Sequence, residues 1–287
     1  MWIFLAILIV IFTSWQDILS KKIVRKANPY LVTWAWWCFT LPFLLVCLPF
    51  SAKPQLTPQF WLALGFSVFF LSFAVIYYIK ALEATELSLS VPMLNFTPLL
   101  LLVTSPIMLK EAPTPLGLAG VMLIVFGAYL LFIRKEHVGW LAPFQNLFKD
   151  KGARYMLWVA IIFSVSGNFD KIGVMNSSPL VWIVSVNVSL SVVLTVVMLI
   201  KSKNVIEELK EHWPALMWLG AANTAALLAQ MTAIQMTQVP YLIAFKRTSV
   251  VLTSLYGFLV LKEEGMKERL AAIVIMMAGV VLICLPG

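Results

Sequence analysis

The sequence predicts an all-α integral membrane protein: ten transmembrane helices in two inverted five-helix repeats. Three observations carry that expectation. Of 287 residues, 61% are hydrophobic and 12% charged, with a mean hydropathy of +0.94. A soluble domain holds about 25% charged and 45–50% apolar residues. Charge and turn residues cut the chain into ten apolar segments near the roughly 20 residues that cross a hydrocarbon core. The chain also matches itself without a gap at a shift of 152 residues. An ordinary soluble fold, a disordered chain and a nucleic-acid-binding domain are excluded. Continuous rather than alternating apolar runs exclude a β-barrel.

The ten segments are expected at roughly 1–19, 31–50, 59–79, 87–109, 115–133, 155–172, 179–200, 214–235, 239–261 and 270–286. The first lacks a basic start and a small-residue cleavage site, so it reads as a span and not a signal peptide. Short connections suit one antiparallel bundle. The longest, 134–154, separates a first five-helix half, 1–133, from a second, 155–287. Alternate connections hold sixteen Lys or Arg residues, against Lys53, Lys110 and Lys171 on the other side. The positive-inside rule then places the basic connections, 134–154 among them, in the cytoplasm and both termini outside. The net charge of +8 reads as basic loops beside anionic lipid. Trp34, Trp36 and Trp37 open the second segment as an expected aromatic belt. Pro92, Pro98 and Pro106 should bend the fourth.

The shift of 152 places Ala81, Thr85, Leu100, Leu109, Lys110, Glu111, Ala119, Gly127 and Leu130 on Ala233, Thr237, Leu252, Leu261, Lys262, Glu263, Ala271, Gly279 and Leu282. The Leu-Lys-Glu triplet recurs five spans later. An odd number of spans between copies means that the halves insert with opposite orientation. Inverted repeats mark many secondary transporters, whose substrate site lies near the midplane between repeats.

On these residues the chain resembles the drug/metabolite transporter superfamily, each half looking like an EamA-type repeat. The resemblance implies a central cavity opened alternately to either side, surrounded by helices 1–4 and 6–9, with helices 5 and 10 peripheral.

Lys246 and Arg247 lie about seven residues into the ninth segment. Each basic residue at a helix centre costs on the order of 2.5–3.5 kcal/mol on insertion scales, so both need compensation. On a continuous helix Lys246, Ser249, Thr253 and Tyr256 follow an i, i+3, i+7, i+10 spacing and share one face. That stripe describes one wall of a wet, anion-binding cavity. Snorkelling of the lysine to the interface, or a structural ion pair, are the competing readings. The Lys-Arg dipeptide is similar to one in the triose-phosphate/phosphate translocators, where it contacts the substrate phosphate. The resemblance implies that Lys246 and Arg247 bind a phosphate or carboxylate. That family adds a lysine where this chain has Leu94 and a tyrosine where it has Asn223.

Asn95, the repeat mate of Arg247, joins the candidate substrate-binding set. So do Asn223 and Gln230 on one face of the eighth segment, Asn168 in the sixth and Trp15 at the polar end of the first. Polar residues in spans also serve as interhelical glue. Cys38, Cys47 and Cys284 lack metal-ligand or disulfide spacing, and His137 and His212 lie away from carboxylate clusters. No H-E-x-x-H, G-x-S-x-G or Walker sequence occurs, so an enzyme is not expected and no cofactor or metal is assigned.

The function expected is secondary-active, alternating-access transport of a small anionic or zwitterionic organic metabolite across a bacterial-type cytoplasmic (inner) membrane. A coupling proton or counter-substrate would drive it. Export of amino acids or of neutral, drug-like solutes, and flipping of a lipid-linked phosphate, are the alternatives.

Overall fold

A computed structural model describes residues 1–24, 28–50, 56–84, 91–132, 150–202, 205–260 and 266–285. Among them the chain is helical without strands. The first span is Trp2–Val24, the third Pro58–Ala84, the fifth Pro115–Phe132, the sixth Lys151–Met175, the seventh Pro179–Lys201, the eighth Val205–Ala233 and the tenth Met266–Cys284. Five stretches of this array are long and apolar enough to cross a membrane: Trp2–Ser20, Pro29–Cys47, Pro58–Ala81, Lys151–Met175 and Pro179–Lys201. The eighth helix begins well before the apolar segment at 214 and carries Pro214 inside it.

Three spans are discontinuous: the second and ninth, where one straight helix was expected, and the fourth, where the prolines were expected to bend it. The second is Pro29–Cys38 followed by Leu41–Cys47 and a 3-10 turn, Leu48–Phe50. Pro42 has no N–H to give Cys38 and its ring opposes that carbonyl, which breaks the helix. The fourth is a 3-10 segment, Val91–Phe96, followed by the helix Thr97–Leu109, which continues through Pro106. The ninth is Val239–Arg247 and Ser249–Leu259, divided at Thr248.

The chain forms two compact units: 1–75 with 169–236, and 76–168 with 237–287. Each draws on both halves of the sequence. In the first, the second span packs on the seventh and eighth, and the first span on the eighth. Its core holds Ile23, Val32, Ala35, Leu216 and Leu219, all buried. Asn223 Nδ2 donates to the Trp36 carbonyl at 3.0 Å and to Thr40 Oγ1 at 2.9 Å, so the eighth span ties down the broken second. Gly220 lets the backbone at Phe39 approach closely. Trp34 and Trp36, expected as part of an aromatic belt, also bond between spans. Their Nε1 atoms donate to Thr195 Oγ1 at 2.8 Å and Ser20 Oγ at 3.1 Å, and both rings join the core between spans.

In the second unit the fifth span packs along the tenth, and the fourth and fifth against the ninth. A Cβ on Gly120 would lie 2.7 Å from the Gly279 carbonyl oxygen, and one on Gly127 2.8 Å from that of Ala272. Seven residues forward on one helix therefore match seven backward on the other, so the two helices run antiparallel. Ala272 and Gly279 are the repeat mates of Gly120 and Gly127. The contact is thus reciprocal, as in a two-fold, self-complementary interface. Small residues allow this approach where lipid offers no hydrophobic drive between helices.

Candidate functional site

The site is built where the fourth and ninth spans meet, inside the second unit. Pro98 cannot donate to the Leu94 carbonyl, and Thr97 Oγ1 does so instead at 2.7 Å. The same hydroxyl accepts Arg247 Nη2 at 3.3 Å. One hydroxyl can give one hydrogen bond and accept another. In the ninth span no proline makes the break. Thr248 keeps a right-handed backbone, φ −68°, ψ −8°. Its N–H bonds Phe245 O at 3.0 Å, and Val251 N–H bonds Thr248 O at 2.9 Å. These i to i−3 bonds make a tight 3-10 turn. Thr248 Oγ1 also donates to Phe245 O at 2.8 Å.

The two breaks fall at Phe96/Thr97 and Thr248/Ser249, 152 residues apart and so at equivalent places in the repeat. The division of the ninth span puts Lys246 and Arg247 in the last turn of a helix. The partial negative charge of a helix C-terminus favours cations there. Both side chains are half-buried. Asn95, in the 3-10 segment, is buried, and among the described residues its Nδ2 has no hydrogen-bond partner. An unsatisfied buried donor costs about 1–3 kcal/mol.

The expected polar stripe is divided by the turn. Ser249 is buried at the head of the second piece, while Thr253 and Tyr256 are half-buried further along. Thr253 Oγ1 bonds its own backbone, to Ser249 O at 3.3 Å and Val250 O at 3.0 Å.

Asn168 is buried and fully engaged. Nδ2 donates to Thr104 Oγ1 at 2.9 Å and Ser164 O at 2.8 Å, and Oδ1 accepts Ser105 Oγ at 2.7 Å. It sews the sixth span to the fourth beside Pro106. The remaining three candidates belong to the other unit. Trp15 is 42% exposed and stacks on Trp218 with centroids 5.9 Å apart. Asn223 holds the second span, as above. Gln230 is buried.

Sequence reasoning missed the structural use of the Leu-Lys-Glu triplet. Lys110 takes a left-handed φ of 58° and stops the fourth span. Glu111 Oε2 then accepts Val239 N–H at 3.3 Å, capping the ninth. A carboxylate is favoured at a helix N-terminus. Tyr241 OH, just inside that helix, accepts Thr114 N–H at 2.7 Å. The recurring triplet was the available signal. Its second copy, Leu261-Lys262-Glu263, lies outside the described residues.

The family model for the EamA-like transporter family matches residues 1–133 and again 150–285. The chain belongs to the EamA-like transporter family. Two consecutive matches make it an EamA-like transporter of two repeats, a multi-pass helical membrane protein of a family that moves small solutes. No curated protein matches the sequence. A solved structure titled "Crystal structure of protein" has the fold of this EamA-like transporter, at a TM-score of 0.79 and 15% identity. The match covers 98% of this chain and 95% of that one.

Proposed function

We propose that this EamA-like transporter is a secondary-active carrier that binds a small anionic or zwitterionic organic metabolite through Lys246 and Arg247. The observation that carries the proposal is the coincidence of two helix breaks at equivalent repeat positions, with both cations at one of them. Broken helices whose ends and unwound backbone face a solute are a recurring way to bind charge at mid-membrane. Asn95 supplies a neutral donor on the fourth span, and Ser249 a hydroxyl after the turn. Thr253, Tyr256 and Asn168 are the further candidates of the same unit, and Asn223, Gln230 and Trp15 those of the other unit, Asn168 and Asn223 already bonded as supports. Alternating access is driven by a coupling proton or a counter-substrate. The membrane is of the bacterial cytoplasmic type, with the basic connections inside.

The antiparallel fifth and tenth helices support the inverted arrangement that such a carrier needs. The test has two stages. A thermal-shift screen against organic phosphates, carboxylates and amino acids identifies a ligand. Uptake is then measured in vesicles with Lys246→Gln and Arg247→Gln. A charged hydrogen bond is worth roughly 1.5–3 kcal/mol, so each variant should bind about 10- to 150-fold more weakly. Folded variants that transport at wild-type rate and affinity would overturn the reading.

A further inference from the structure

Lys151, Arg154, Tyr155 and Trp158 follow an i, i+3, i+4, i+7 spacing and so occupy one face at the start of the sixth span. They line a cavity of about 290 Å³. Lys151, Arg154 and Trp158 are exposed and Tyr155 is half-buried. The third span lies beside this face, against Tyr155. Tyr77 stacks on Tyr155, centroids 5.8 Å apart and planes 25° apart. Lys80 Nζ lies 5.8 Å from the Tyr77 ring centre and 6.0 Å from that of Tyr155. Two aromatic faces within that range hold an ammonium group.

The order along the helix is the chemistry of a lipid turned into sequence. Two cations stand at the helix end, then a tyrosine, then a tryptophan about 10 Å deeper by the helical rise. Tryptophan and tyrosine prefer the boundary between headgroups and acyl chains. The nearby Asp150 carboxylate is turned back on its own helix, accepting Gly152 N–H and Ala153 N–H at 3.1 Å each. These two bonds cap the helix. We propose that this basic, aromatic-floored cavity binds the phosphodiester headgroup of an anionic phospholipid, with an acyl chain lying along Trp158. Basic pockets at helix ends on the positively charged side of a membrane protein suit such headgroups. A zwitterionic lipid brings its own cation and gains less. A soluble phosphate has no chain to place on Trp158.

The site is separate from Lys246 and Arg247, so its test does not depend on the substrate. The full-length protein in detergent is mixed with equal amounts of phosphatidylglycerol and phosphatidylcholine of the same acyl chains, and retained lipid is read by native mass spectrometry. Phosphatidylglycerol should be favoured by about 25-fold or more. Each basic residue near an anionic headgroup is worth on the order of fivefold in affinity. The single variants Lys151→Gln and Arg154→Gln should each lose about that factor, and Lys80→Gln with Arg154→Gln about 25-fold. The surface variant Lys151→Gln keeps the test open if the double variant fails to fold. Arg247→Gln should leave the preference unchanged. Equal retention of the two lipids, or undiminished preference in the folded Lys151→Gln and Arg154→Gln variants, overturns the proposal. So does displacement of the lipid by millimolar inorganic phosphate, which would assign the cavity to a soluble anion.

Discussion

Arg247 Nη2 reaches Thr97 Oγ1 at 3.3 Å, and Thr97 is the repeat mate of Ser249, two residues beyond Arg247 itself. The contact therefore joins nearly equivalent points of the two halves. Thr97 is buried and serves Leu94 O with the same hydroxyl. Thr97→Val should remove both bonds and cost on the order of 1–3 kcal/mol. Thr97→Ser should restore them. The readout is thermal stability together with uptake. If valine and serine behave alike, the hydroxyl does not position the guanidinium.

Asn168 has each of its polar atoms bonded, in a buried site. Hydrogen bonds between membrane helices are worth about 0.6–2 kcal/mol each. Asn168→Leu should lower the melting temperature and leave the KM for uptake within about twofold. A KM raised tenfold at unchanged melting temperature would instead make Asn168 a solute contact.

Gly279 meets the fifth span so closely that a Cβ there would lie 2.6 Å from Gly120 O and 2.8 Å from Ile124 Cγ1. Gly279→Leu should destabilise the protein by about 1–3 kcal/mol through overpacking. Gly65 has no atom within 4 Å of its would-be Cβ. Gly65→Leu should melt as the wild type does, and an equal loss in both variants would refute the contact.

Orientation is checked by labelling. With Cys38, Cys47 and Cys284 replaced, Gln145→Cys should react with an impermeant thiol reagent only in inverted or permeabilised membranes. Labelling from outside intact cells would reverse the expected topology.

What the sequence made readable follows from the physics of each feature. Apolar runs have to match the bilayer, so the spans could be read from hydropathy alone. The repeat was readable because two Leu-Lys-Glu triplets, with Gly127 and Gly279 at the same offset from them, are rare among leucines. The break in the second span was printed as Pro42 but lay inside an unbroken apolar run. The break in the ninth had no mark, because Thr248 is compatible with either a helix or a tight turn. Asn168 and Asn223 stood out as amides in spans. An amide looks the same in sequence whether it holds a neighbouring helix or a solute. Only its partners, Ser105, Thr104, Thr40 and the Trp36 carbonyl, show the support it gives. Trp34 and Trp36 are ambiguous for the same reason, since an indole N–H finds water at a surface or a hydroxyl inside.

The two matching breaks are made by different means, and that difference sets which of them can mend. In the fourth span Pro98 lacks an N–H, so the elbow is permanent whatever surrounds it. In the ninth, Thr248 and Val251 hold their N–H groups on carbonyls three residues back. Each is one small rotation from the carbonyl four back, with no proline between. The elbow at Thr248 is therefore reversible. Straightening it into α-helix would shorten the spacing between Arg247 and Ser249 along the axis, from a rise of about 2.0 Å to about 1.5 Å per residue, and swing the guanidinium about it, while Thr97 stayed fixed on its proline-set turn. One half of the molecule carries a rigid post and the other a latch.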